Sequence, residues 1–74
     1  MKYKFNEVFQ QNIDGSLTPI RVIRIGNAVL GPSVTFRPGA FFGGVNIFDF
    51  LECDIEANEE SQFLDIKGFY QNHE

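Results

Sequence analysis

Between Gly26 and Gly44 no run longer than five residues is free of glycine or proline. The breaks fall at Gly26-Asn27, Gly31-Pro32, Arg37-Pro38-Gly39 and Gly43-Gly44. Proline removes a backbone donor and clashes with the preceding turn, and glycine is entropically costly inside a regular element. A helix of ordinary length is therefore excluded from the middle quarter of the chain. Only minimal strands fit there: Ala28–Leu30, Val34–Phe36 and Ala40–Phe42.

The flanks predict strands of more usual length. Tyr3, Phe5 and Phe9 alternate with Lys4, Asn6 and Gln10, which predicts a half-buried strand over 3–11, with Glu7 out of phase. Asp14-Gly15 then separates two apolar runs, a strong hairpin signal. Leu17–Ile25 is expected as the return strand, carrying Pro19 near its start. Ile20 and Val22 fall on one face and Ile23 and Ile25 on the other, so this strand is expected to be central. After the glycine-rich segment, Asn46 is a good N-cap for one helical turn over 47–51. Cys53–Ala57 and Gln62–Tyr70 are expected strands joined by a turn at 58–61, with Leu64, Ile66 and Tyr70 on one face. Residues 71–74 are expected to fray.

The expected fold is thus one all-β domain over 1–74. It is a small, strongly bent sheet or partly open barrel or roll of about five short strands, with a helical turn at 47–51.

Read in sixes, the central segment carries a second pattern. Leu30, Phe36, Phe42 and Phe48 recur at one phase, and Ala28, Val34, Ala40 and Asn46 at another. This resembles the hexapeptide repeat of left-handed parallel β-helix proteins, in which one side chain points inward per short side. The resemblance covers about a third of the chain and implies, as an alternative, a single solenoid-like coil within 25–48. It departs from that family in using Phe where an aliphatic is usual. The acyltransferase chemistry found in the family is not implied, because its catalytic histidine has no counterpart here.

A chain of 74 residues buries a smaller share of its surface than larger domains do, and such chains commonly rely on disulfides, a metal or a partner subunit. Cys53 is the one cysteine and His73 the one histidine. An intramolecular disulfide and a Cys/His zinc site are both excluded. A lone thiol with no secretory apolar segment after the basic start predicts a cytoplasmic protein, and no apolar run approaches membrane-spanning length.

Charge is divided along the chain. Residues 1–48 hold five Lys/Arg against two acids, and residues 49–74 hold one against eight. The two parts are expected to meet across strands, where opposite charges help modestly.

Catalytic constellations are missing. Ser16, Ser33 and Ser61 fall in turns, and Cys53 has no basic partner nearby in sequence. Glu52, Asp54 and Glu56 share one face of a strand, but such a row diverges over about 13 Å and is better suited to solvent than to calcium. The glycine pairs precede no helix and match no phosphate-loop pattern. No enzyme activity, cofactor or metal is expected.

What remains is apolar surplus. Phe41-Phe42, Ile47-Phe48, Phe50-Leu51, Phe63-Leu64 and Phe69-Tyr70 each send an apolar group to both faces of a strand. A single buried face cannot cover them all, and uncovered aromatic patches mark interaction sites. The expected function is a non-catalytic protein-interaction module, homo-oligomeric or bound to another protein, with Phe36, Arg37, Phe41, Phe42, Phe48 and Phe50 as interface candidates. The alternative is a module for a small ligand or single-stranded nucleic acid, using the Arg37/Phe41 loop to stack bases and meet phosphate. An acidic chain with six Lys/Arg makes nucleic acid the weaker choice.

Overall fold

The structure is a computed structural model that describes residues 1–70. The tail expected to fray at 71–74, with His73, lies outside the described residues.

The protein is mostly β. Its strands are β1 (Lys2–Tyr3), β2 (Phe9–Gln11), β3 (Leu17–Pro19), β4 (Ile23–Ile25), β5 (Ala28–Leu30), β6 (Asp54–Glu59) and β7 (Leu64–Tyr70). A single helical turn, α1 (Phe5–Val8), and a 3-10 turn at Ile47–Phe50 complete it. Five strands form a mixed sheet in the order β1-β6-β7-β4-β5, and β2-β3 form a separate pair. The larger sheet does not close into a barrel.

The strand expected over 3–11 is interrupted by α1. Phe5, Val8 and Phe9 are all buried, and their i, i+3, i+4 spacing suits a helical turn. Glu7, out of phase for a strand, accepts the Lys4 backbone N–H through Oε1 at 2.8 Å and so fixes the turn's start. The Asp14-Gly15 hairpin forms as expected, with Gln11 opposite Leu17 and Gly15 at φ 88°. Asp14 Oδ1 accepts from the Ser16 backbone at 3.0 Å and from its hydroxyl at 2.6 Å, closing the loop.

The return strand is not continuous. It breaks after Pro19, so β3 belongs to the small pair and β4 to the large sheet. Ile23 and Ile25 are buried, whereas Ile20 and Val22 face outward. β4 is internal as expected, pairing antiparallel with β5 and parallel with β7.

Of the three minimal strands expected in the middle, only Ala28–Leu30 forms. Val34–Phe36 supplies one bridge, Leu17 to Phe36, and Ala40–Phe42 another, Phe42 to Val45. No solenoid coil is built. Leu30 and Phe36 are nevertheless core residues, and Phe42, Phe48, Ala28, Val34 and Ala40 pack against the core. The six-residue period marks inward positions along an irregular chain, not sides of a coil.

Asn46 caps the 3-10 turn as expected, its Oδ1 accepting from the Phe48 N–H at 3.1 Å. β6 and β7 pair antiparallel, with an irregularity that sets Ala57 opposite Ile66 but Glu56 opposite Gly68. Lys67 is thereby the extra residue of a β-bulge, and the bulge reverses the facing of residues 68–70. Phe69, opposite the buried Ile55, faces the core, and Tyr70, opposite Asp54, faces out. Tyr70 thus leaves the face expected for it beside Leu64 and Ile66.

The outer face of the sheet is charged and paired. Lys2 lies 3.6 Å from Asp54, Arg24 lies 3.0 Å from Asp65, Lys67 lies 2.9 Å from Asp65, and Arg21 pairs with Glu59. Lys2, Arg21 and Arg24 of the first part thus meet acids of the second, as the charge division predicts, and Lys67 adds a pair within the second part. The carboxylate row on β6 accordingly serves as a solvent face: Asp54 pairs with Lys2, and Glu56 bonds the Tyr70 hydroxyl. Glu52 stands before β6 with φ 65°. Among the described residues no group of three His, Cys, Asp or Glu side chains converges as a metal site. None of the described helices is long and apolar enough to cross a membrane.

Candidate protein-interaction site

Several hollows mark the described surface, and three of them bear on function. The hairpin hollow, about 650 Å³, is an open one beside the exposed Ile13, the Asp14 carboxylate and a set of amide and hydroxyl groups. Those groups bond each other, Asn12 Nδ2 donating to Thr18 Oγ1 at 3.0 Å and Thr18 and Thr35 sharing a bond of 2.9 Å. A second, about 370 Å³, lies between Lys4, Phe5, Gln11 and the Glu52 and Asp54 carboxylates. The third, about 430 Å³, is predominantly apolar, and its construction involves four separate segments.

β4 ends at Ile25 because Gly26-Asn27 turns the chain back into β5. Gly26 has φ 59° at the first turn position, a conformation that favours glycine. β7 runs parallel to β4 only as far as Ile66 and then continues to Tyr70. Residues 67–70 therefore have a strand partner, β6, on one side only among the described residues. Across the open side stands a two-residue turn: Phe42 and Val45 exchange backbone bonds of 2.8 and 2.9 Å, with Gly43 and Gly44 both at positive φ. This turn directs Val45 toward the open edge. The 3-10 turn then delivers Phe50, whose ring stacks on Phe69 with centroids 4.5 Å apart and planes 8° from parallel.

The resulting groove has Ile25 and Ile66 at its base, Val45, Phe50 and Phe69 around it, and Lys67 as the one ionisable side chain among its described lining residues. Among the described residues no acid, hydroxyl or thiol lines it. It offers apolar contact, backbone groups and the Lys67 side chain, a combination suited to binding an apolar segment. Among the described residues no buried side-chain polar atom lacks a hydrogen-bond partner, so none is left aimed at a ligand.

The interface candidates read from the sequence are distributed over three places. Phe36 is 5% exposed and is a core residue. Its ring meets Phe9, Phe42 and Phe48 edge-on at centroid distances of 6.1, 5.0 and 5.7 Å. Phe42 and Phe48 are half-buried in that cluster. Phe50 lines the groove. Phe41, 64% exposed, and Arg37 lie on the surface of the intervening loop.

Arg37 is paired: its Nη2 donates to Asp14 Oδ2 at 3.0 Å. Bonds from Ser16, and secondarily this guanidinium, hold the Asp14 carboxyl below its usual range. A paired cation beside one exposed ring is a weak platform for nucleic acid.

Sequence reasoning missed Gly26, Gly43, Val45, Ile66 and Phe69 as groove residues. The glycines were legible as turns but not as neighbours, and Phe69 reaches the groove only because of the bulge. The chain matches no protein-family model, no curated protein and no solved structure, so geometry alone carries the functional reading.

Proposed function

We propose that this protein is a non-catalytic protein-interaction module that receives an extended segment of a partner protein along β7. One observation carries this reading: among the described residues, 67–70 have no strand neighbour on the side that opens into the apolar groove. An unpaired strand edge is a template for another strand, and added strands combine main-chain bonds with side-chain pockets. The groove supplies such a pocket between Val45 and the Phe50–Phe69 stack.

The test is selection of linear peptides from a random displayed library against the unlabelled protein, with titration of a selected peptide into ¹⁵N-labelled protein. The expected result is enrichment of alternating apolar sequences, with the largest amide shifts at Lys67–Tyr70 and Val45. Failure to select any peptide, or shifts centred on the Arg37 loop, overturns the reading.

A further inference from the structure

The two edges of the large sheet are unlike. β1 is two residues long and carries Lys2, both of which blunt an edge against pairing. β5, Ala28-Val29-Leu30, has no charge, no proline and no bulge, and among the described residues it pairs only with β4. Val29 is 62% exposed.

The main-chain groups on that edge are oriented by the turn. Ile25 and Ala28 flank the two-residue Gly26-Asn27 turn and face each other. In such a hairpin the flanking pair is the hydrogen-bonded one, so the next pair, Arg24 and Val29, is not. The N–H and C=O of Val29 therefore point away from β4, out of the sheet.

We infer that β5 is the contact of a two-fold dimer, pairing antiparallel with β5 of a second copy about an axis at Val29. Placed on that axis, each Val29 donates its N–H to the other's C=O, an isologous contact that closes on itself. Asn27 of one copy lies opposite Gly31 of the other, and neither is charged. Val29 side chains from both copies meet on the outer face, where Val22 is also exposed.

Charge distribution selects a second copy for this edge. The chain carries a net charge of −4, and most approaches of two copies are repulsive. β4 and β5 contain no acid, and the one acid on the adjoining strand face, Asp65, is matched by Arg24 and Lys67. The acids of β6 lie three strand spacings from β5, about 14 Å. Joined through β5, two copies hold their β6 acids at opposite ends of one ten-stranded sheet. This contact is separate from the β7 groove and stands or falls independently of it.

Light scattering on a sizing column, from micromolar to millimolar chain, tests the inference. The expected result is a mass rising from one chain toward two, earlier at high salt as the net repulsion is screened. Val29→Lys is expected to stay at one chain throughout, with the wild-type circular dichroism spectrum and melting temperature, and Val29→Thr to associate as wild type does. A wild type that remains one chain at millimolar concentration, or a Val29→Lys variant with the wild-type mass profile, overturns it.

Discussion

Gly26 and Gly43 touch backbone to backbone: a Cβ on Gly26 would lie 2.7 Å from the Cα of Gly43. A Cβ on Gly43 would meet the Ile25 carbonyl oxygen at 2.8 Å. Both glycines hold φ 59°. This contact joins the β4-β5 turn to the turn that carries Val45, and so forms one end of the groove.

Alanine at either position carries a conformational penalty of about 1–2 kcal/mol and must also push two backbones apart. Gly15 and Gly39 have positive φ with nothing within 4 Å of a built Cβ, so Ala there carries the conformational penalty alone. Urea unfolding is expected to rank Gly26→Ala and Gly43→Ala below Gly15→Ala and Gly39→Ala. Equal losses at all four would show that the contact contributes nothing.

Phe36 and Phe41 are close in sequence and energetically unlike. Phe36→Ala empties the centre of a four-ring cluster and is expected to cost about 3–5 kcal/mol, much of the roughly 4–11 kcal/mol typical for a chain of this size. Phe41→Ala, at an exposed position, is expected to change stability by less than about 0.5 kcal/mol. Chemical denaturation of both variants checks the contrast, and similar losses would contradict the cluster as the organising feature of the central segment.

The Asp65 side chain is nearly enclosed and accepts from Arg24 Nε at 3.3 Å and Nη2 at 3.0 Å. These bonds, and then those from Lys67, hold its carboxyl below its ordinary range. A carboxyl depressed in the folded state stabilises it above the unfolded value, near about 4. That contribution fades as pH falls through the lowered folded value. Melting temperature is therefore expected to decline below about pH 4, and less steeply in Asp65→Asn, whose curve starts lower at neutral pH. Glu59, lowered by Arg21, and Glu56, lowered by the Tyr70 hydroxyl, add to the wild-type decline. Parallel curves for the two proteins would remove Asp65 from the acid response.

The Phe50–Phe69 stack fixes the 3-10 turn against β7. Offset or stacked aromatic pairs add about 0.5–1.5 kcal/mol beyond area burial. Phe50→Leu is expected to lose about that much while retaining the β spectrum, and to weaken any peptide selected on the wild-type groove. Wild-type peptide affinity in Phe50→Leu would move the binding site off this ring.

Local chemistry determined much of this protein from sequence. The Asp14-Gly15 hairpin, the Asn46 cap, the turns at Gly26 and Gly43-Gly44, and strands β5, β6 and β7 arise from residue types at short range, because capping and positive-φ preferences act within a few residues. The period at Leu30, Phe36, Phe42 and Phe48 also identified inward positions, since burial of large apolar groups leaves its mark whatever the backbone does.

Tertiary structure decided the rest. Whether Phe5–Val8 turns as a helix depended on Val8 and Phe9 finding a common core, which alternation alone does not reveal. The division of 17–25 between two sheets depended on which partners lay beside each half. The bulge at Lys67, unmarked in the sequence, sent Phe69 inward and Tyr70 outward. The site itself arose from strands of unequal reach: β4 stops at Ile25, β7 continues to Tyr70, and the contact between Gly26 and Gly43 closes the end of the gap. Such a gap belongs to the register between strands, a long-range property that no short window of sequence encodes.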